Sequence, residues 1–322
     1  MTASRPATPA APGVAVIGAG AWGLALALQA HRAGRAVTLW ARTPARVGER
    51  LRGITLPPEI RVTGALPVAD LVLLAVPLQH LRAVAAALPP GGPLICCAKG
   101  IEAETLALPL EILAAVQPGR PAAVLTGPSF AREVAAGLPT AVVLAAESEM
   151  LRNEAIVALA TPPFRLYGND DPVGAQVGGA AKNVVAIAAG AVIGAGLGEN
   201  ARAALVTRGL AELARLAVAL GGRAETVSGL SGMGDLLLTC TSEASRNYSF
   251  GLALGAGARP AEILAARTAV TEGVATAPAL VARALKLGVA VPVCAAVAGV
   301  LGERITLAQA IAALLARRLR DE

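Results

Sequence analysis

The sequence predicts an α/β domain with a mostly parallel, doubly wound sheet, followed by an all-α domain. Three observations lead there. Short apolar runs alternate with helical segments from Gly13 to about Tyr167, a glycine-rich turn follows the first run, and from Asp171 onward the alternation stops. Strands alternating with helices imply parallel strands joined by crossovers. With 322 residues the chain is long enough for two substantial cores.

The expected strands are Val14–Ile17, Ala36–Trp40, Leu71–Val76, Leu94–Ala98, Ala122–Leu125, Ala141–Leu144 and Phe164–Tyr167. Several are continuously apolar, as strands buried on both faces are. The expected helices of the second half are Ala180–Ile193, Ala201–Leu220, Ser228–Leu238, Pro260–Ala266, Ala275–Leu287 and Leu307–Leu319, punctuated by glycine or proline. The turn-rich Gly168-Asn169-Asp170-Asp171-Pro172 marks the boundary. The expected division is a disordered tail over 1–11, a dinucleotide-binding domain over 12–170 and a helical substrate-binding and catalytic domain over 171–322.

Composition excludes several classes. Hydrophobic residues make up 55% of the chain but aromatics only 2%. The uncharged stretches Val184–Gly198 and Leu287–Gly302 are alanine- and glycine-rich and fall short of a spanning helix of ~20 strongly apolar residues. The Pro/Ala/Thr-rich start has no apolar core and does not read as a signal peptide. Cys96, Cys97, Cys240 and Cys294 lack metal-ligand spacing and a disulfide framework, so the expectation is a reduced, cytoplasmic protein without a metal. The net charge of +6 is diffuse, apart from Arg317-Arg318-Leu319-Arg320, which suits the end of a helix. Scarce aromatics argue against nucleic acid, and small anionic ligands suit the charge.

Gly18-Ala19-Gly20-Ala21-Trp22-Gly23 follows the first strand and opens an alanine-rich helix, with a second strand beyond. This is the context a Rossmann-type dinucleotide turn requires. Gly18 permits the turn, Gly20 admits the pyrophosphate, and Gly23 lets helix and sheet pack closely. The second strand ends in Trp40-Ala41-Arg42-Thr43-Pro44-Ala45-Arg46 without the acid that would hold ribose hydroxyls. Thr43 reads as an N-cap and Pro44 as the first helical residue. Arg42, with Arg46 nearby, suits a 2′-phosphate, which favours NADPH while leaving NADH acceptable.

Only three of the 28 basic residues are lysines. Lys286 lies on an ordinary helix face. Lys99 (Ala98-Lys99-Gly100) and Lys182 (Ala181-Lys182-Asn183) sit in nearly uncharged, glycine-flanked runs. An ammonium, unlike a guanidinium, can lose its proton at accessible pH. Two such lysines suggest proton transfer or a compact point charge.

Lys99-Gly100-Ile101-Glu102, Gly127-Pro128-Ser129-Phe130-Ala131-Arg132-Glu133, Gly178-Gly179-Ala180-Ala181-Lys182-Asn183, Thr207-Arg208-Gly209-Leu210-Ala211-Glu212, Gly232-Met233-Gly234-Asp235 and Ser245-Arg246-Asn247 occur in this order. In these blocks the chain resembles the bacterial NAD(P)-dependent glycerol-3-phosphate dehydrogenases. The resemblance implies reversible hydride transfer between NAD(P)H and dihydroxyacetone phosphate, giving sn-glycerol 3-phosphate for phospholipid synthesis. It implies Lys182 as general acid and base, Asp235 as its acidic partner and Lys99 as a contact to substrate and cofactor. It places Gly127, Ser129, Asn183, Thr239, Ser245, Arg246 and Asn247 at the substrate. Gly18, Gly20, Ala21, Trp22, Gly23, Arg42, Ala131, Arg246, Val270 and Glu272 go to the cofactor. A homodimer through the helical domain is expected.

The chain departs from that pattern at Leu24, Leu78 and Ile193. Tyr248-Ser249 stand in place of a more basic pair, which would weaken cofactor or phosphate binding. The segment between Leu56 and Leu71 is short, so the third crossover is in question. His31 and His80 do not read as catalytic. The β-hydroxyacid and ketopantoate reductases also join such domains and use a lysine, but do not account for Ser245-Arg246-Asn247 or the Gly127–Glu133 block. A non-catalytic NADPH sensor would be expected to lack Lys182, Lys99 or Asp235.

Overall fold

The computed structural model describes residues 13–47, 55–267 and 269–317. The expected N-terminal tail and the last basic residues, 318–320, lie outside them.

Eight strands form one sheet: β1 Val14–Ile17, β2 Val37–Trp40, β3 Arg61–Thr63, β4 Leu71–Leu74, β5 Leu94–Cys96, β6 Ala122–Thr126, β7 Thr140–Ala145 and β8 Phe164–Asn169. The order is β3-β2-β1-β4-β5-β6-β7-β8, and every neighbouring pair is parallel except β6 with β7. The helices α1 Ala21–Arg32, α2 Leu81–Ala86, α3 Pro109–Val116, α4 Ala131–Ala136 and α5 Glu149–Leu159 fall between the strands. Two separate apolar clusters contain alternate residues of the central strands, Val14 and Val16 in one and Ala15 and Ile17 in the other. A strand that is apolar at every position is thereby buried on both faces.

The edge strand β3 was not among the expected strands. Arg-Val-Thr is only three residues long and its arginine is exposed, so it carries no apolar run. Between β3 and β4 the described residues form no helix, which answers the question of the third crossover. At residue 43 the expectation fails in part: Pro44–Arg46 is a single 3-10 turn, and the Thr43 side chain caps nothing.

Beyond β8 come α6 Pro172–Gly194, α7 Gly198–Ala219, α8 Ala224–Ser228, α9 Asp235–Cys240, α10 Arg246–Gly255, α11 Pro260–Ala265, α12 Glu272–Lys286, α13 Pro292–Leu301 and α14 Leu307–Leu315. Four differ from the sequence reading. α6 starts eight residues early, with Pro172 first and the Asp171 carboxylate accepting from Gly174 N at 2.8 Å. The expected helix Ser228–Leu238 is instead α8, a π-helical turn over Leu230–Gly234, and α9. α10 and α13 were not expected. The glycines of α10 read as punctuation, and α13 is too uniformly apolar to show a period.

The glycines of α6 and α10 are packing devices. A Cβ at Gly190 would lie 2.1 Å from Tyr248 O, and one at Gly194 2.2 Å from Leu252 O. Reciprocally, a Cβ at Gly251 would lie 2.0 Å from Ile187 O, and one at Gly255 2.4 Å from Ala191 O. Each helix thus has glycines four residues apart, on one face, and the backbones touch there. This makes α6 the central helix. By length and composition it could cross a membrane, yet 83% of its apolar window is buried inside the protein.

Replacing Gly251 by valine should therefore separate the two backbones. The expected cost is about 3 kcal/mol or more, at the upper end for overpacking, read as a lowered denaturant midpoint by circular dichroism.

Candidate active site

The first parallel strands all point their C-terminal ends to one edge of the sheet, where such sheets bind ligands. Gly18 follows β1, Lys99 lies three residues beyond β5, and Gly127 follows β6. In the glycine turn, packing fixes the first and third glycines and leaves the second open. Gly18 has φ +111°, and a Cβ on Gly23 would lie 1.7 Å from Gly18 O. A Cβ on Gly20 would meet nothing within 4 Å. No acidic residue occupies the first turn of α1, no side chain caps it, and Trp22 Nε1 is buried without a partner. Open space, free amides and the positive end of a helix fit a dinucleotide's phosphates. Arg42 is exposed just past β2, beside this turn.

Two further glycines assemble the charged centre. On α6, a Cβ at Gly178 would lie 2.7 Å from Ser231 O in the π-turn, and one at Gly179 2.7 Å from Thr126 Oγ1 and 3.6 Å from the Lys99 stem. Lys182 lies one helical turn farther on, so its side chain shares their face. The π-turn ends at Gly234 and delivers Asp235 as the first residue of α9. π-turns inside helices recur at functional sites because they re-aim one side chain.

Asp235 is 1% exposed and receives both lysines. Lys182 Nζ donates to Oδ1 and Lys99 Nζ to Oδ2, the latter at 2.5 Å. Lys182 also donates to Thr239 Oγ1 at 3.0 Å, and Lys99 to the Gly127 carbonyl at 3.2 Å. Ser129 Oγ donates to that same carbonyl at 2.9 Å. The structure therefore brings together Lys182, Asp235, Lys99, Thr239, Gly127 and Ser129 from four parts of the chain.

One carboxylate between two ammoniums leaves a net positive centre. Burial brings the Lys182 pKa down to about 8; Asp235 opposes that and Lys99 adds to it. Burial works against the charge of Asp235, but the two lysines hold its pKa below the ordinary value. Lys182 is thus the member of the cluster whose pKa burial draws toward neutrality, beside a carboxylate held below its ordinary pKa.

A second group forms at the start of α10. Ser245 caps the helix, its Oγ accepting from Tyr248 N at 3.2 Å, and Arg246 is the exposed first residue. Asn247 donates to Asn183 Oδ1 at 2.9 Å and accepts from Gly273 N at 2.9 Å, tying α6, α10 and α12 together. Ser245 and Asn247 therefore have structural partners. Glu272, first residue of α12, has its pKa pushed up to about 7 by burial, against the charge of Arg246 and the amide of Leu78. Val270 is 49% exposed on the loop before α12, and Ala131 is half-buried at the start of α4. Ser249, where a basic residue was missed, accepts from Arg267 Nη2 at 3.1 Å. A guanidinium reaches that place after all, from a residue the sequence did not single out. No local signal could have marked Arg267, because its partners lie 18 and 21 residues away.

All four cysteines are buried and free, and burial raises Cys96 and Cys240 to about 12. Among the described residues no group of three or more His, Cys, Asp or Glu could hold a metal.

Comparison with known proteins bears on this site. Residues 13–152 match the family described as NAD-dependent glycerol-3-phosphate dehydrogenase N-terminus, and residues 171–312 match the corresponding C-terminus. The chain is 56% identical over 320 residues to a glycerol-3-phosphate dehydrogenase [NAD(P)+] of Acidiphilium cryptum, covering 97% of this chain and 98% of the relative. It is 52% identical over 315 residues to one from Gluconobacter oxydans, covering 95% and 97%. A crystal structure of glycerol-3-phosphate dehydrogenase from Coxiella burnetii superposes with a TM-score of 0.90 at 36% identity, covering 95% of this chain and 99% of the other.

With three lysines, the 13C spectrum of the reductively methylated protein is assignable by single Lys→Arg changes. One resonance, from Lys182, should titrate near 8. In Asp235→Asn it should titrate lower, since the charge that raises it is gone. An unchanged or higher midpoint would contradict the shared-carboxylate arrangement.

Proposed function

The chain belongs to the NAD-dependent glycerol-3-phosphate dehydrogenase family, and from that premise we propose how its residues divide the reaction. It is an NAD(P)-dependent enzyme reducing dihydroxyacetone phosphate reversibly to sn-glycerol 3-phosphate. The observation that carries the division of labour is the buried Lys182–Asp235–Lys99 cluster at the C-terminal edge of the sheet.

The bound nicotinamide supplies or takes up the hydride at C2 of the substrate. The remaining work falls to the chain. Lys182, protonated, gives its proton to the C2 oxygen as negative charge develops there, and in the reverse direction takes it from the hydroxyl. Lys99 stabilises that oxygen electrostatically. Asp235 aims both ammoniums. Burial of the Lys182 ammonium, with the like charge of Lys99 adding to it against the pull of Asp235, favours donation over that of a solvated lysine. Thr239 fixes the rotamer of Lys182. Ser129 and the Gly127 turn border the substrate. Arg246 and the first amides of α10 hold the phosphate end, since a guanidinium fork donates two hydrogen bonds to one phosphate. Asn183, Asn247 and Ser245 set that helix end at a fixed distance from Lys182.

The glycine turn, with Ala21, Trp22, Ala131, Val270 and Glu272, borders the dinucleotide. The exposed Arg42 past β2, with no acid beside it in the sequence, supports a preference for NADPH over NADH. Four buried free thiols support a reducing compartment, the cytoplasm. There the product would supply phospholipid synthesis.

NADPH should be consumed rapidly on addition of dihydroxyacetone phosphate and not of ketopantoate. Lys182→Ala should lose about 10²–10⁴-fold in kcat, the usual worth of a general acid, while fluorescence titration still shows NADPH binding. Turnover surviving within a few-fold would remove Lys182 from the role. Reduction needs the ammonium, so its kcat/KM should fall as pH rises through about 8. Oxidation needs the free amine and should rise over the same window. Arg42→Ala should raise the KM for NADPH about tenfold, the loss of one charge-assisted hydrogen bond, and leave that for NADH nearly unchanged.

A further inference from the structure

One cleft in the helical region carries two guanidiniums. It is lined by Arg246, Ala266, Arg267 and Ala269. Arg246 opens α10, and Arg267 follows α11. Arg267 is held on three sides. Nη1 donates to the Arg246 carbonyl at 2.7 Å, Nη2 donates to Ser249 Oγ at 3.1 Å, and the guanidinium lies 5.5 Å over the ring of the buried Phe250. A long side chain gives up considerable rotamer entropy to be fixed this way.

Among the described residues, two of its five N–H donors have a protein acceptor. Among the described residues neither Arg246 nor Arg267 forms an ion pair with a carboxylate. Burial, and then the charge of Arg246, depress the pKa of Arg267. Glu272 feels the charge of Arg246, yet neither guanidinium is ion-paired with it, so the repulsion between the two is left for an anion between them to relieve. The end of α10 points the same way, because Ser245 Oγ accepts only from Tyr248 N. The amides of Arg246 and Asn247 are left for a ligand.

We infer that Arg267 is a second phosphate-binding residue, forming with Arg246 a bracket of two guanidiniums around a phosphate ester at the start of α10. The inference rests on the placing of Arg246 at a phosphate, and extends it to a residue on a different element. The phosphate comes from the substrate or from the cofactor, and the two are separable by experiment.

Arg267→Gln keeps hydrogen-bonding capacity and removes the charge; Arg267→Lys keeps the charge and removes the fork. Steady-state constants would be measured for dihydroxyacetone phosphate, for dihydroxyacetone, which lacks the phosphate, and for NADPH and NADH. For a substrate phosphate, Arg267→Gln should raise the KM for dihydroxyacetone phosphate about tenfold, as loss of one charged hydrogen-bond donor implies. The preference for the phosphorylated substrate should fall by a similar factor, and Arg267→Lys should restore part of both. For a cofactor phosphate, the KM for both dinucleotides rises instead and that preference stays, and the bracket also stands. If neither KM moves beyond about twofold, or if only kcat and thermal stability fall, Arg267 merely braces the Arg246 carbonyl and the inference is overturned.

Calorimetry with inorganic phosphate separates this from the functional reading. Weaker phosphate binding by Arg267→Gln than by the unaltered enzyme supports the bracket even if dihydroxyacetone phosphate is not turned over. Equal binding contradicts it.

Discussion

The active centre depends on one carboxylate shared by two ammoniums. Asp235 is almost fully buried, and a lone charge there would be costly. Lys182 and Lys99 make it tolerable, and it in turn makes both lysines tolerable. The three groups come from α9, α6 and the loop after β5, so the ionic contact also joins the sheet to the helices. Removing Asp235 would leave two ammoniums uncompensated, whereas removing one lysine leaves a matched pair, so the carboxylate is the member whose loss is most expensive. Burial, and then the like charge of Lys99, make the Lys182 proton easier to surrender than that of a solvated lysine, against the pull of Asp235.

Glycine makes this arrangement sterically possible. Gly178 and Gly179 let the π-turn and the Lys99 stem approach α6, while Gly190 and Gly194 let α10 lie against it. The same helix therefore fixes Lys182 relative to Asp235 at one point along its length and relative to the start of α10 two turns later. The distance between Lys182 and the start of α10 is set by a single rigid element, and Asn183 with Asn247 pins it. Preorganisation of this kind keeps reacting groups in place without spending binding free energy on alignment.

Charge is distributed with the same economy. The dinucleotide end relies on backbone amides, an open space at Gly20 and an exposed Arg42. The helical side uses guanidiniums braced by carbonyl, hydroxyl and aromatic ring. The chain lacks the basic pair expected after Asn247, yet Arg267 arrives at Ser249 from the loop after α11. A charge requirement at a site can be met from whichever element passes nearby, so a missing residue in a motif does not establish a missing charge.

The sequence by itself determined the α/β-then-α order, the dinucleotide turn and the identity of the two lysines. Each of these is a local property: period, spacing within a turn, or a residue type at odds with its surroundings. It did not determine β3, whose pairing rests on neighbours across the sheet edge, nor α10 and α13, whose stability comes from packing and not from an amphipathic pattern. It began the expected helix after Gly178-Gly179 and ended it before Gly194, because glycine lowers helix propensity locally. Only the tertiary structure shows that close backbone contact outweighs that cost. The split of one expected helix at a π-turn, the sharing of Asp235 and the bracing of Arg267 belong to the same class. All are contacts between residues far apart in the chain, and a one-dimensional pattern does not encode which distant groups will meet.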